Sequence, residues 1–292
     1  MTITTEFRFE GRDGASIAAY RWEPEGAPRA VVQLVHGVGE HMRRYDHLGT
    51  TLARAGVLVQ GHDSRGHGAS IAPGAEPGVI GSAGWTESLN DIDVLVRRAR
   101  EEHPGLPLVL LGHSMGSSAV QQYFVAHSDQ LDAIVLSGTA AADLVEAFVD
   151  LDAPMDFAAY NAAFEHRTGL EWLSRDPAQV DRYLADPLCG FGYDVDAMKA
   201  MFAEGRIAAD PERLAKVRSD VPIYIVVGEQ DPVNAQLALV SPLIERYRAA
   251  GLTDVTLRVY EGARHEVFNE TNRDEVEADL LSWIDQVVGA KA

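Results

Sequence analysis

The chain has 292 residues, 46% of them apolar, which suffices for one large domain, or a core with an insertion, around a sizeable hydrophobic interior. A net charge of −19 excludes a surface built for nucleic-acid phosphates and disfavours firm attachment to anionic membranes. No apolar run reaches the roughly 18 residues of a membrane-spanning helix, MTITTEFRFEGRDG lacks the plan of a signal peptide, and one cysteine, Cys189, allows no intrachain disulfide, so a cytoplasmic location is expected.

Residues 3–9 and 15–22 alternate polar and apolar around GRDGA and predict an antiparallel hairpin at a sheet edge. AVVQLVHG (30–37) is a near-continuous apolar strand of the buried kind, and HLGTTLARAG (47–56) a helix closed by its glycine. VLVQGHDS (57–64) reads as the next strand. TESLNDIDVLVRRAREEHPG (86–105) reads as a helix whose stop signal, basic residues followed by His-Pro-Gly, is clearer than its start. Then come the strand LPLVLLGHS (106–114), the helix MGSSAVQQYFVAHS (115–128) and the strand LDAIVLSG (131–138).

The rhythm breaks at Thr139. Up to Arg218 only helical segments such as DLVEAFVDLDA (143–153) and MDFAAYNAAFEH (155–166) are expected. Strands resume with VPIYIVVG (221–228) and VTLRVYEG (255–262), and EVEADLLSWIDQVVG (275–289) closes as an amphipathic helix. This pattern predicts an α/β fold, a mostly parallel sheet with helices on both faces. Residues 1–138 and 219–292 would form the core, and 139–218 an inserted helical cap.

In such a sheet, ligands bind beyond the carboxyl ends of the strands. Three polar residues fall there: Ser114 in GHSMG, Asp231 in GEQDPV and His265 in ARHEVF. The order Ser, Asp, His after successive strands is that of the α/β-hydrolases. A serine hydroxyl needs an adjacent base, His265 titrates in the useful range, and Asp231 would orient the ring and stabilise its charged form. Gly112 and Gly116 fence the serine on a turn too sharp for side chains. The backbone N–H groups of Met115 and of Val38, in the HGVGE loop, are the candidate donors to an oxyanion. Glu229 is the rival for the acid. His36, His62, His67 and His113 are read as structural, as is Asp63. Neither H-E-x-x-H nor a cysteine pair occurs, so no metal is expected.

Several blocks, HGVGEHMRRY (36–45), GHDSRGHGAS (61–70), GHSMG (112–116), DPLCGF (186–191), GEQDPV (228–233) and ARHEVFNE (263–270), together resemble the monoacylglycerol lipase and lysophospholipase branch of the α/β-hydrolases, grouped with the serine aminopeptidases of S33 type. The resemblance implies Ser114, Asp231 and His265 as the triad, Val38 and Met115 as oxyanion donors, and no cofactor. It also places Glu40 and Arg44 near the polar end of the pocket, where the glycerol group is handled, although the two equally read as a structural ion pair. Ser64 departs from the family pattern, which often has a larger residue there.

The cap carries many large apolar residues, among them Phe148, Met155, Phe157, Trp172, Met201 and Phe202. A minority are expected to line an acyl pocket and the rest to pack the cap onto the core. Residues 141–218 hold eight Lys and Arg against fifteen Asp and Glu, which predicts at most weak contact of the cap with a membrane. The expected substrate is a small-molecule ester, lipid-like and single-chained. A small or aromatic ester, a peptide amide, or a non-catalytic binding role are the alternatives.

Overall fold

A computed structural model describes residues 3–290. The described residues form one eight-stranded sheet in the order β1-β2-β4-β3-β5-β6-β7-β8. The strands are β1 (Ile3–Glu10), β2 (Ser16–Glu23), β3 (Ala30–Val35), β4 (Val57–His62), β5 (Leu108–His113), β6 (Ala133–Ser137), β7 (Ile223–Gly228) and β8 (Val255–Tyr260). The β1–β2 hairpin is antiparallel and β2 is antiparallel to β4; every later pairing is parallel.

The continuous apolar runs are explained by burial on both faces. Side chains alternate across a strand, so each run feeds two cores. Val31, Leu108, Leu110 and Ile134 face one core, covered by α2 (Gly81–Glu102) and α3 (Met115–His127); Val32, Leu34, Val109 and Leu111 face the other, covered by α1 (Asp46–Arg54) and α9 (Arg273–Gly289). Edge strand β8 is exposed along its middle, at Thr256, Leu257 and Arg258.

Between β6 and β7 no strand occurs among the described residues. This segment holds α4 (Ala142–Val145), α5 (Pro177–Ala185), α6 (Val195–Ala208) and α7 (Pro211–Leu214), and α8 (Ser241–Ala249) follows β7. The longer helices expected over 143–153 and 155–166 are not formed. One α turn and the 3-10 segments Glu146–Phe148 and Phe157–Ala163 stand there instead. Asp150 and Asp156 accept from backbone N–H groups two residues on, at 3.0 and 2.9 Å, and Asp156 thereby caps only the 3-10 segment that follows it. Asp176, Asp194 and Asp210 each cap an α-helix.

The insert is tied to the sheet's upper loops. The Asp194 carboxylate accepts from the amides of Ile80 and Gly81 at 2.6 and 2.8 Å, which lets α2 begin at Gly81, five residues before the start expected at Thr86. Gly190 donates to the Gly39 carbonyl at 3.0 Å, and His265 and Glu266 donate to the carbonyls of Trp172 and Leu173 at 3.2 and 2.8 Å. No helix among the described residues is long and apolar enough to cross a membrane.

Candidate active site

Ser114 stands between β5 and α3 with φ 54° and ψ −122°, a conformation that costs an L-residue about 1–3 kcal/mol and persists only where the surroundings enforce it. Here they do. Its amide donates to the Ser137 carbonyl on β6 at 2.9 Å, and its carbonyl accepts from the Ser117 hydroxyl at 2.6 Å. The flanking glycines are required by contact: a Cβ on Gly112 would meet the Gly116 carbonyl oxygen at 2.2 Å, and one on Gly116 would meet the Val35 carbonyl oxygen at 2.2 Å. Strand, turn and helix are pressed together, and Ser114 lines the cavity above them.

Asp231, fully buried just past β7, accepts from His265 Nδ1 at 2.9 Å and from Asn234 Nδ2 at 3.3 Å on the same oxygen, Oδ2. Its other oxygen accepts from the Val233 amide at 2.9 Å. With the Nδ1 proton directed at the carboxylate, Nε2 of His265 is left as the basic nitrogen. Glu229 is exposed and accepts from the Gly262 amide at 2.9 Å instead. Burial works against a charged His265. The charge and hydrogen bond of Asp231, with Glu266 and Glu40 behind, outweigh that and raise its pKa. The ring of His113 lies 4.8 Å from that of His265, centroid to centroid, but its own pKa is pushed down to about 4 by burial and by His265, so it stays neutral.

The HGVGE loop is shaped by two neutral histidines. His36 donates from Nδ1 to the Gly37 carbonyl (2.7 Å) and accepts the Ser64 amide at Nε2 (2.9 Å). His67 donates from Nδ1 to the Arg65 carbonyl (2.9 Å) and accepts the Gly39 amide at Nε2 (3.0 Å). Asp63 holds the facing loop, accepting from the Met42 and Ala69 amides and the Tyr20 hydroxyl at 2.7–2.9 Å. Val38 and Met115 both line the cavity with Ser114, and among the described residues neither amide donates to another protein group.

A family model for serine aminopeptidase, S33, matches residues 26–272. The chain belongs to this family. It is 34% identical over 291 residues to the monoacylglycerol lipase of Mycolicibacterium smegmatis, covering 96% of both chains. The human monoglyceride lipase is 27% identical over 300 residues, covering 94% of this chain and 88% of that one. A thermostable carboxyl esterase from Bacillus coagulans, solved with glycerol, superposes with a TM-score of 0.84 at 28% identity over 99% of this chain and all of the other. The sheet and its helices are therefore an α/β-hydrolase fold.

In this family member the cavity over Ser114 has an empty volume of about 820 Å³, part of it open to solvent. Most of its wall is apolar. Val145, Val149, Met155, Phe157, Met201 and Phe202 come from the insert, whereas Phe148 points into solvent at 74% exposure and Met198 and Tyr193 pack into the core. At the polar end lie Glu40, Glu266 and Tyr183. Arg44 bonds both carboxylates, at 2.6 Å to Glu40 and 2.6–2.7 Å to Glu266. Glu40 thus reaches the cavity and Arg44 lies among its ion-pair partners. Burial alone would raise the Glu40 carboxyl; the charge of Arg44 holds it low. Glu266 carries no motif signal of its own beyond standing next to His265.

Two clusters bring metal-ligand atoms within 4.8 Å of one another, His41 with Asp186 and Cys189, and His47 with Asp274 and Glu277. In each the imidazole already bonds a carboxylate, at 2.8 and 2.7 Å. Neither cluster lines the cavity.

Proposed function

We propose that this protein is a serine carboxylester hydrolase working through an acyl-enzyme on monoacylglycerol or a similar single-chain lipid ester. Ser114 Oγ attacks the ester carbonyl carbon while His265 Nε2 takes its proton. The amides of Val38 and Met115 receive the developing oxyanion. On collapse, His265 returns the proton to the leaving alcohol oxygen, and water then repeats the sequence to release the fatty acid. Asp231 keeps the imidazole in the productive tautomer.

The observation that carries this reading is the strained Ser114 elbow sharing one cavity with a His265 whose Nδ1 is bonded to buried Asp231. Residues 139–218 act as a cap over the core of 1–138 and 219–292, and the cap's apolar wall takes the acyl chain. The relative from Mycolicibacterium smegmatis, a monoacylglycerol lipase along 96% of its length, supports the substrate class. The acidic cap favours a substrate met in solution or at a neutral interface.

The test is fatty-acid release from monoacylglycerols of increasing chain length, with Ser114→Ala as control and fluorophosphonate labelling of the serine. Serine-dependent turnover peaking at medium or long chains is expected. Turnover confined to short or aromatic esters, the province of the esterase-like reading, would remove the lipid substrate and keep the mechanism. Active protein that does not label would remove the nucleophile.

A further inference from the structure

The ions at the polar end of the cavity join two loops that are remote in sequence. Arg44 Nη1 donates to Glu40 Oε2 at 2.6 Å and to Glu266 Oε1 at 2.7 Å, and its Nη2 donates to Glu266 Oε2 at 2.6 Å. Glu40 Oε1 accepts the Gly37 amide at 2.6 Å, one residue before Val38, and the Tyr45 hydroxyl at 2.8 Å. Glu266 directly follows His265, and its Oε2 also accepts Asn269 Nδ2 at 3.0 Å. The Tyr183 ring of the insert packs over the guanidinium, its centroid 4.8 Å from Arg44 Cζ. The three charged side chains are 3–10% exposed.

A continuous set of short, charge-assisted bonds therefore runs from the backbone beside one oxyanion donor to the residue beside the base. Two carboxylates on one guanidinium also leave a net charge of −1 in a place with little water to screen it.

We infer that Glu266 is a positioning residue for the ester hydrolysis proposed above: through Arg44 and Glu40 it holds the His265 loop in register with the Val38 loop, and it supplies the surplus negative charge against which the His265 imidazolium forms. The inference rests on that reading of Ser114, Asp231 and His265. The charged or titratable groups facing His265 are Asp231 across the ring, neutral His113 against its face, and Glu266 and Glu40 with Arg44 on the cavity side. The last three are the members whose sum can be altered without touching the Asp231 bond.

A purely structural role makes a different prediction. Glu266→Gln leaves Glu40 and Arg44 as a neutral buried pair, so no uncompensated charge remains, and a structural network would tolerate the change. Glu40→Gln likewise leaves Arg44 with Glu266.

The experiment is the pH dependence of kcat/KM, which reports the base of the free enzyme, measured with a monoacylglycerol on the full chain for the unmodified protein, Glu266→Gln, Glu266→Asp and Glu40→Gln. Removal of either carboxylate should move the acidic limb to lower pH by about half a unit or more, because the imidazolium loses a partner. In Glu266→Gln, kcat should fall roughly 10–100-fold with KM changed less than about threefold. Glu266→Asp keeps the charge and should keep the limb. An undiminished kcat in Glu266→Gln, or a limb unmoved in both Gln variants, overturns the inference; if Glu266→Gln does not fold, the limb of Glu40→Gln decides. Lack of turnover by the unmodified protein would instead refute the functional reading itself.

Discussion

Trp172 meets His265 twice: its ring lies 5.1 Å from the imidazole, centroid to centroid, and its carbonyl accepts the His265 amide at 3.2 Å. The insert that walls the cavity therefore also anchors the loop bearing His265. Among the described residues the indole Nε1 is buried without a hydrogen-bond partner, so the ring's contacts with the protein are packing contacts. Trp172→Phe should keep kcat within about threefold, since it removes a donor that has nothing to bond. Trp172→Ala should cost about 3–5 kcal/mol of stability and lower kcat about tenfold or more as the His265 face is uncovered. Thermal unfolding and steady-state kinetics on the two variants check this; an alanine variant with unchanged kcat would dissociate the insert from the chemistry.

Asp231 and Glu229 are two residues apart, yet only one meets the imidazole. Asp231→Asn keeps the shape but offers His265 Nδ1 the wrong partner, which favours the unproductive tautomer. Turnover should drop on the order of 10³–10⁴-fold with the fold intact. Glu229→Gln, on an exposed carboxylate that holds the Gly262 amide, should leave kcat within about threefold. Parallel kinetics of the two variants decide the assignment, and a more damaging Glu229 variant would reverse it.

The strands, the serine turn and the chain order of Ser114, Asp231 and His265 were legible because local rules dictate them. Buried parallel strands need unbroken apolar runs, and a turn that jams Gly116 against Val35 excludes a side chain. What could not be read depends on residues far apart in the chain. The start of α2 is set by Asp194, 113 residues beyond Gly81. The partner of Arg44 besides Glu40 is Glu266, 222 residues away. The helical periodicity of 143–153 and 155–166 was legible but misleading, because the chain there forms only one α turn and the short 3-10 segments Glu146–Phe148 and Phe157–Ala163. Among the apolar residues of the insert, nothing in spacing separates Phe202, which lines the cavity, from Phe148, which faces water.

Four buried histidines that take no part in the proposed chemistry should make the protein acid-sensitive. His36, His62, His67 and His113 are at most 4% exposed, and burial depresses each: His62 and His67 to about 3, His113 to about 4, and His36 also downward. In the unfolded chain each returns to its ordinary value near 6.5. The folded state thus binds fewer protons than the unfolded one. The stabilisation is fully present above pH 6.5 and is lost as the pH falls toward the folded values, between about 6.5 and about 3. At pH 5 the loss is on the order of 2 kcal/mol each for His62, His67 and His113. Several such losses rival the ~5–15 kcal/mol that a domain of ordinary stability has in total. His265, raised rather than depressed, has the opposite sign and offsets part of this. The melting temperature should therefore fall steeply from pH 7 to pH 5. His62 is the informative position, because among the described residues its Nδ1 is buried without a partner and its removal breaks no bond from that atom. In His62→Leu the slope of stability against pH should lessen by up to one proton. Calorimetry across pH 4–8 measures both quantities, and a melting temperature constant from pH 7 to 5 would show that these rings do not titrate on unfolding.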